Sequence, residues 1–433
     1  MIAGTAKLEI TPSTNVWLDG LIREHESVGV HDPIFMRALV LANEPDFSDA
    51  FAVLSLDICV LDTEDVHRAV QVLADRTRIQ TDRIILAASH NHSGPATFGF
   101  FNPKETEYTD DLIEKMTIVL RRAMDNSVPA AVGCRSGREE TISRYRRFMD
   151  DNGKVVMLWE ANPAESLMRV LGENDPEVGV LKVVDAEDHS KTICTLLNHA
   201  GHPNIMSGDN YLITADYPGV TQRLVEEAFG GNCMFTNGAQ GNLDIDNWKY
   251  RDWNGMEHIG QTLAKAVSQT ADGIVPSNST VVRGSSVKYK IPSRKISDAE
   301  LAWAEDILSK TGGKLQAVAD GVGDDYKALL YRKLRERQDR PIQVSQICFA
   351  VGNTAFVTVP GELFTEAGMK IKAESPFEHT YILGLANGYI GYIPTREAIA
   401  LGGYEVDTRE ADDGAEETIV EMSLALLKCV KAF

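Results

Sequence analysis

Apolar and polar residues follow two patterns along the chain, one typical of strands and one typical of helices. Two short apolar runs, "FMRALVLAN" and "DAFAVLSLDICV", predict a pair of strands between residues 35 and 60. The next segment, "TEDVHRAVQVLADRT", has apolar residues at helical spacing, and "RIILAAS" then predicts another strand. This strand, helix, strand order favours a parallel connection, so the pattern predicts an α/β fold.

The same patterns continue through the rest of the chain. Helices are predicted at about residues 109–126 and at "GVTQRLVEEAF", which has Pro218 in its first turn, and strands at "GVLKVVD" and "TICTLLN". Residues 297–340 are rich in Ala, Glu, Lys, Arg and Leu and predict two or three helices. We expect one catalytic domain over residues 1–433, built from mixed sheets with flanking helices, in which 297–340 form a helical cover.

Composition and charge narrow the class of protein. The 43% of hydrophobic and 24% of charged residues are ordinary for a globular protein. A net charge of -20 repels phosphate backbones and anionic lipid surfaces, so we expect neither a nucleic acid partner nor stable membrane anchoring. Six cysteines occur without a CxxC pair, and the sequence has no signal peptide pattern and no apolar run of about 18 residues. These features predict a cytoplasmic protein.

Candidate metal ligands follow the ends of four predicted strands. They are His90 and His92 in "SHNHSGP", His199 and His202 in "HAGHP", Glu362 in "VTVPGEL", and Tyr389 and Tyr392 in "NGYIGY". Loops at the carboxyl ends of parallel strands meet in one crevice. Two neutral imidazoles and a carboxylate suit zinc, which keeps one position for water in catalytic sites. Ordinary hydrogen-bonded histidines are the alternative interpretation.

Three aspartates are further candidates. Asp57 ends a predicted strand and Asp216 lies in "TADYPG", and each is a candidate for orienting a metal-bound histidine through its second ring nitrogen. Capping of a turn or helix is the alternative for both. Together with Asp244, these carboxylates are also candidates for a site with two metals, which would favour phosphoester hydrolysis.

Eight short motifs, taken in order, resemble the neutral, non-lysosomal ceramidases, a family of zinc-dependent amide hydrolases that cleave the N-acyl bond of ceramide. The motifs are "AKLEITP", "GVHDPIFMRALVL", "LSLDICVLD", "LAASHNHSGP", "GHPNIMSGDNYLITADYPG", "MFTNGAQGNLD", "VPGELFTEAG" and "NGYIGYIPTREAIALGGYE". They cover nearly the whole chain. The resemblance implies an α/β fold like the catalytic domain of a ceramidase and an amidohydrolase of lipid metabolism.

The resemblance also implies roles for individual residues. Four of them are expected to bind zinc: His90, His202, Glu362 and Tyr392. Tyr389 is the alternative tyrosine ligand. His92 is expected to transfer a proton or orient the substrate, Tyr404 to be an active-site tyrosine, and Arg144 in "ISRYRRF" to contact the substrate.

Two departures from the family bear on the reaction. Gly241 in "GAQGN" stands where the family has a serine with a catalytic role, and the family's C-terminal immunoglobulin-like domain has no counterpart in this sequence. We therefore expect water activated by zinc to attack a small N-acyl substrate, which need not be ceramide.

Two other functions stay open at this point. One is the hydrolysis of a lactone, an ester or a phosphoester by one or two metals, and the other is a catalytically silent binding protein of the same fold. The residues also leave open whether the helical cover is a lid, a surface feature or a contact in a homo-oligomer.

Overall fold

The computed structural model describes residues 1–161 and 168–433. The strands of these residues, numbered in chain order, are β1 (Ile2–Glu9), β2 (Gly29–Val30), β3 (Phe35–Ala42), β4 (Phe51–Leu56), β5 (Ile84–Ala88), β6 (Val128–Arg138), β7 (Arg144–Tyr145), β8 (Arg147–Met149), β9 (Val155–Met157), β10 (Arg169–Val170), β11 (Glu177–Asp185), β12 (Thr192–His199), β13 (Leu212–Ile213), β14 (Asn232–Asn237), β15 (Leu243–Asp244), β16 (Val282–Ile291), β17 (Ile342–Val351), β18 (Thr354–Val359), β19 (Glu362–Leu363), β20 (His379–Gly384) and β21 (Tyr392–Ile393).

The helices of the described residues pack around these strands. They are α1 (Thr63–Thr77), α2 (Thr106–Asp125), α3 (Leu158–Ala161), α4 (Asp216–Phe229), α5 (Asn247–Tyr250), α6 (Trp253–Asp272), α7 (Asp298–Thr311), α8 (Asp324–Arg337), α9 (Thr365–Glu374), α10 (Arg396–Leu401), α11 (Tyr404–Thr408) and α12 (Ala415–Lys431).

Two sheets form the centre of the fold. The larger has the strand order β14-β12-β11-β6-β1-β3-β4-β5 and the smaller has β16-β17-β18-β20. Most neighbouring strands are antiparallel, but β4 and β5, β12 and β14, and β18 and β20 run parallel. The predicted parallel connection through α1 is thus confirmed, and the architecture is mixed α/β as predicted.

The two sheets, with one layer of helices on the outer face of each, form four layers, and the apolar core fills the spaces between them. Leu39 and Val53 of the larger sheet and Phe349 and Phe356 of the smaller sheet belong to one core cluster between the two sheets. The other face of the larger sheet packs on α1, α2, α4 and α6, and the other face of the smaller sheet packs on α9 and α12. Because both faces of each sheet are covered, a strand such as β4 is buried at every position, which explains its continuous apolar run.

The parallel strands carry the loops of the candidate site. β5 ends at Ala88, two residues before His90, and β12 ends at His199, three residues before His202. β19 and β21 form a short parallel pair in which Glu362 lies opposite Tyr392. Residues opposite each other in adjacent strands place their side chains on the same face, so this register brings the two together.

The helical cover predicted at residues 297–340 consists of α7 and α8. Ser297 and Glu300 form a capping box at the start of α7. The apolar sides of α7 and α8 pack against each other and against Phe100 and Phe101. The cover therefore lies on the loop that follows the first histidine pair.

A buried ion pair joins the larger sheet to α4. Arg37 Nη1 donates to Asp57 Oδ2 at 3.1 Å, and Gln222 of α4 donates to Asp57 Oδ1 at 3.1 Å. Arg37 also lies 3.4 Å from Glu226 of α4. The expectation that Asp57 orients a histidine is therefore wrong, because its carboxylate is directed to Arg37 in the neighbouring strand.

We expect Asp57→Ala to lower the free energy of unfolding by about 3–5 kcal/mol, because Arg37 would keep its charge in the core with only Glu226 to compensate it. Urea unfolding followed by circular dichroism measures this loss. Asp339→Ala removes the partner of Lys295 in an exposed ion pair and is the control, which should unfold at the wild-type midpoint. Equal midpoints for the two variants would contradict the role given to the buried pair.

Candidate metal centre

The first histidine pair lies on a strained turn after β5. His90 has a φ of 72°, in the left-handed region that residues with a Cβ rarely adopt. The turn is held by hydrogen bonds from His90 N to Ile58 O at 3.0 Å and from His92 N to Pro203 O at 3.1 Å. Backbone strain of this kind is concentrated at functional sites, where the surrounding structure imposes it.

Three imidazoles and one carboxylate converge at this turn. The ring centres of His90 and His92 are 4.7 Å apart. The ring centre of His202 lies 4.5 Å from that of His90 and 4.9 Å from that of His92. His90 Nε2 is 3.4 Å from Glu362 Oε2 and 3.3 Å from His92 Nε2. All four side chains are buried. The structure thus brings together four of the residues predicted for the site.

Hydrogen bonds around this cluster leave lone pairs directed into its centre. His90 Nδ1 lies 3.1 Å from the backbone oxygen of Cys59, and when it donates there, Nε2 presents a lone pair towards Glu362. Tyr389 OH donates to Glu362 Oε1 at 2.7 Å. Glu362 Oε2 has no hydrogen-bond partner among the described residues. Opposed lone pairs repel unless a cation lies between them, so the cluster has the character of a cation site.

The protonation states of the cluster also suit a metal. Burial is the largest cause that lowers the pKa of His92 and of His202 well below the ordinary value, and the charge of Arg146 and, when its ring is protonated, that of His90 act in the same direction. Burial alone would raise the pKa of Glu362, but His90 when protonated, together with Arg146 and the hydroxyl of Tyr389, holds it below its ordinary value. Neutral imidazoles and an ionised carboxylate are the forms that bind metal ions.

The spacing of the donor atoms fits a first-row metal ion. One donor atom from each of His90, His202 and Glu362 lies within 4.8 Å of the others. A tetrahedron with bonds of about 2.1 Å has edges of about 3.4 Å, and the distance from His90 Nε2 to Glu362 Oε2 is 3.4 Å. Cys59 forms a second group with His90 and His92, but burial raises the pKa of its thiol and disfavours the thiolate that a metal would need.

A backbone carbonyl and an arginine, rather than the two aspartates, contact the Nδ1 atoms of these histidines. His90 Nδ1 lies 3.1 Å from Cys59 O, and His202 Nδ1 lies 3.4 Å from Arg146 Nη1. Asp216, the other candidate for this task, instead accepts from two backbone N–H groups, one in α4 and one in the loop after the second histidine motif. Its expected role is therefore wrong in the same way as that of Asp57.

Both candidate tyrosines border the cluster. Tyr389 donates to Glu362 directly, whereas Tyr392 lies opposite Glu362 in the β19 and β21 pair, with its ring centre 5.5 Å from that of Tyr404. Burial raises the pKa of Tyr392 well above its ordinary value, and the charge of Glu362 acts in the same direction. Tyr392 as a metal ligand stays a prediction.

The sequence predicted Arg144 for the site, whereas the arginine that lines the cavity is Arg146. Arg144 forms an ion pair with Asp246 at 3.2 Å, is 33% exposed, and is not among the described residues that line the cavity at the cluster. Arg146 is buried there instead, 5.4 Å from the ring centre of Tyr392 and 5.7 Å from that of Tyr404. The motif "SRYRRF" has three arginines, and no local pattern shows which of them faces inward.

Arg146 is held by a buried network. Its Nε donates to Glu405 at 2.8 Å and its Nη2 donates to Gly241 O at 2.7 Å. Arg147 donates to the other oxygen of Glu405 at 2.5 Å. The planar guanidinium of Arg146 is thereby fixed beside the cluster before any substrate arrives.

A narrow cavity of about 40 Å³ lies over the cluster. Aromatic and polar side chains outside the cluster form its walls, among them Phe98, Phe101, Arg146, Trp159, Asn204, Asp320, Tyr326, Tyr404 and Glu410. Asp320 and Tyr326 belong to the helical cover, so the cover forms part of the site. A wider groove of about 620 Å³ adjoins the cavity and shares Trp159 and Tyr404 with it.

Gly241 lies where a side chain has no room. A Cβ at this position would be 2.3 Å from the backbone oxygen of Glu362 and 3.0 Å from that of Leu363. Gly241 N also donates to Leu363 O at 2.9 Å. The loop therefore packs directly on the strand that carries Glu362, and a serine at this position would push that strand away.

Comparisons with known proteins identify the family and the fold. The family profile described as neutral/alkaline non-lysosomal ceramidase, N-terminal, matches residues 3–279. The structure of a ceramidase complexed with C2 is 17% identical, with a TM-score of 0.76 over 100% of this chain and 75% of that chain. The neutral ceramidase from Pseudomonas aeruginosa is also 17% identical, with a TM-score of 0.75 over 100% of this chain and 74% of that chain. At this identity the two structures establish the fold alone.

We expect Gly241→Ser to weaken zinc binding by about tenfold or more, because it displaces a segment that supports Glu362. Competition with a chelator of known affinity measures the change, and thermal unfolding shows whether the fold is retained. Gly414→Ser is the control, since the nearest atom to a Cβ there is 3.8 Å away. Zinc affinity equal to that of the control would show that the loop accommodates a side chain.

Proposed function

Because this chain belongs to the neutral/alkaline non-lysosomal ceramidase family, we propose that it is a zinc-dependent hydrolase of an N-acyl amide bond. The observation that carries the proposal is the convergence of buried donor atoms from His90, His202 and Glu362. The family and the fold support an amide-bond hydrolase, and the metal and the attacking water are our inference. The proposal treats residues 1–433 as one catalytic domain, with 297–340 as its cover.

His90, His202 and Glu362 would hold the zinc, with Tyr392 as the fourth ligand. Bound zinc supplies Lewis acidity and lowers the pKa of a water molecule from about 15.7 towards about 7. A ligand set of nitrogen and oxygen donors is typical of catalytic zinc sites. The lack of room at Gly241 supports a reaction without a serine nucleophile at that position.

His92 is the residue that we assign to proton transfer. It is buried beside His90, and its Nδ1 has no hydrogen-bond partner in the described part of the chain. A neutral imidazole can accept a proton from the attacking water and donate it to the leaving nitrogen, which then departs as an amine. Gly20 packs against the ring, where a Cβ would lie 2.4 Å from His92 Cγ, so the backbone fixes the ring in place.

Arg146 and Tyr404 are the groups that we assign to the carbonyl oxygen. Both line the cavity, and hydrogen bonds to Glu405 and Gly241 hold Arg146 in a fixed orientation. Donors fixed in advance stabilise developing negative charge without reorganising during the reaction. The ion pair between Arg144 and Asp246 supports a structural role for Arg144 instead.

The proposed substrate is a small N-acyl amide. The cavity of about 40 Å³ has room for the reacting group, and the rest of the substrate would extend into the adjoining groove. Across the described ranges, no helix is both long and apolar enough to span a bilayer. A cytoplasmic location and a homo-oligomer stay predictions from the sequence.

The alternative with two metals gains no support from the geometry. Within the described residues, Asp57, Asp216 and Asp244 belong to no group whose donor atoms are close enough to share an ion. Phosphoester hydrolysis is therefore not part of the proposal.

We expect the protein, purified without chelators, to contain about one zinc per chain and His90→Ala to lose it, since that change removes a ligand with a fixed ring. Elemental mass spectrometry measures the metal, and thermal unfolding checks the fold. His67→Ala, at an exposed position on α1, is the control and should keep the metal. Full zinc occupancy in His90→Ala would contradict the site.

We expect Arg146→Ala to lower kcat/KM on a short N-acyl amide by about 10²–10³, because one donor to the developing oxyanion is lost. Arg144→Ala, two residues away, should stay within a few-fold of wild type. Arg146→Lys keeps the charge without the planar fork and separates loss of catalysis from loss of the fold. Zinc content is measured in all three variants, and a larger loss in Arg144→Ala would reverse the assignment.

A further inference from the structure

Two spaces of very different size meet at the candidate site. The cavity over the cluster measures about 40 Å³ and the adjoining groove about 620 Å³. Four residues line both spaces and form a neck between them: Trp159, Asp320, Gly321 and Tyr404. A substrate that is larger than the cavity has to pass the neck, so the width of the neck, rather than the volume of the groove, limits what can bind.

The indole of Trp159 forms one side of the neck. Its ring centre lies 5.3 Å from that of Tyr404 in an edge-to-face contact, and the guanidinium carbon of Arg146 lies 5.5 Å from the Trp159 ring centre. The backbone beside it is fixed, because Leu158 is fully buried and its N–H donates to Arg146 O at 2.8 Å. The partly exposed indole is therefore held in one place.

The helical cover forms the other side of the neck. A Cβ at Gly321 would lie 3.0 Å from Trp159 Nε1, so the loop between α7 and α8 packs directly on the indole. Gly321 has a φ of 65°, which a glycine adopts without strain. Gly208 N donates to Ala319 O at 3.0 Å and holds this loop down. Neither side of the neck can then move aside without breaking these contacts.

In the proposed reaction, the acyl part of the substrate is the part that enters the neck. His92 is assigned to the leaving nitrogen, and its ring packs against Gly20, which does not belong to the neck. Arg146 and Tyr404 are assigned to the carbonyl oxygen, and both contact Trp159. The group that extends past Trp159 is therefore the one attached to the carbonyl carbon.

The groove beyond the neck carries charged side chains of both signs. Lys154 and Glu160 come from the segment around Trp159, and Lys327 of α8 forms an ion pair with Asp407 of α11 at 3.2 Å. A hydrocarbon chain gains free energy where it leaves water for an apolar surface, and these walls offer little of that. The groove thus favours a short acyl group over a fatty acyl chain.

We propose that Trp159 determines substrate specificity by limiting the width of the acyl group. The inference rests on the proposed amide hydrolysis. An unbranched chain passes the indole into the groove, whereas a branched chain meets two packed surfaces that cannot give way. The substrate class is then the amides of short, unbranched acids.

A matched pair of amides tests this role. N-pentanoylbutylamine and N-(4,4-dimethylpentanoyl)butylamine differ by methyl groups that are too far from the carbonyl to change its reactivity. Wild-type protein should prefer the unbranched amide in kcat/KM by about tenfold or more, and in Trp159→Ala this ratio should fall to about one. A loss of the same factor on both amides, with an unchanged ratio, would show that Trp159 only supports Arg146 and would overturn the proposal.

Two further variants serve as controls, and zinc content and thermal unfolding are measured in each. Trp303→Ala removes a partly exposed indole of α7 that is not among the described residues lining the cavity or the groove, and it should keep the wild-type ratio. Trp159→Phe keeps an aromatic wall and should retain part of the preference. A ratio of about one in Trp303→Ala would assign the selection to the cover as a whole and overturn the role of Trp159.

Two other amides test which part of the substrate enters the neck and how long it is. N-pentanoyl-3,3-dimethylbutylamine is branched on its amine, and its kcat/KM relative to N-pentanoylbutylamine should be the same in wild type and Trp159→Ala. Dependence of that ratio on Trp159 would place the amine in the neck and overturn the proposal. N-nonanoylbutylamine should exceed the pentanoyl amide by no more than about threefold in wild type. A larger gain would overturn the short-chain substrate class.

Binding measured without turnover separates this inference from the proposed function. NMR titration of the matched pair into wild type and Trp159→Ala gives the affinities. A preference for the unbranched amide that depends on Trp159, without cleavage, would support the inference and contradict amide hydrolysis. Equal binding and cleavage of both amides by wild type would support hydrolysis and overturn the inference. Absence of both binding and cleavage would overturn both.

Discussion

The rest of this structure depends on the repulsion between two lone pairs that face each other in the buried centre, away from water. His90 Nε2 and Glu362 Oε2 face each other at 3.4 Å in the buried centre of the protein. Water cannot screen their repulsion there, and the carboxylate oxygen has no donor among the described residues. The surrounding elements impose this approach: a left-handed turn at His90 aims one ring, and the register of β19 with β21 places the carboxylate. A cation bound between the two groups would relieve the repulsion, so binding of a metal ion at this site would also stabilise the fold.

A second buried group of charges keeps the frame of the site in position. Arg146 and Arg147 share Glu405, and Arg146 also binds the backbone of the Gly241 loop. Burying three charges is a weak source of stability, because their desolvation offsets most of their attraction. The network contributes geometry, because it joins the segment of β7 and β8, the Gly241 loop and α11, which begins at Tyr404. These segments are far apart in sequence, and each carries part of the cavity wall.

Features with a local cause could be predicted from the sequence, whereas features that depend on distant contacts could not. Burial on both faces leaves continuous apolar runs, so the parallel unit of β4, α1 and β5 and the helices of the cover were predictable. Asp57 looked like a partner for histidine, but the neighbouring strand places Arg37 beside it. The inward orientation of Arg146 rather than Arg144 depends on the pairing of β7 with β15, which lies about a hundred residues away. Local sequence patterns do not predict such pairings between distant strands.

The cover explains why a site shared with a hydrolase family can still select its own substrate. In the proposed reaction, the cluster and the fixed guanidinium of Arg146 would act on any amide, because every amide presents the same carbonyl. Discrimination must then come from groups beyond the reacting atoms. Asp320 and Tyr326 reach the cavity from the cover, and Asn204 reaches it from the loop that the cover holds. In the proposed reaction, binding energy from contacts of this kind would help to orient the amide at the cluster, so residues that select a substrate would also contribute to its rate of cleavage.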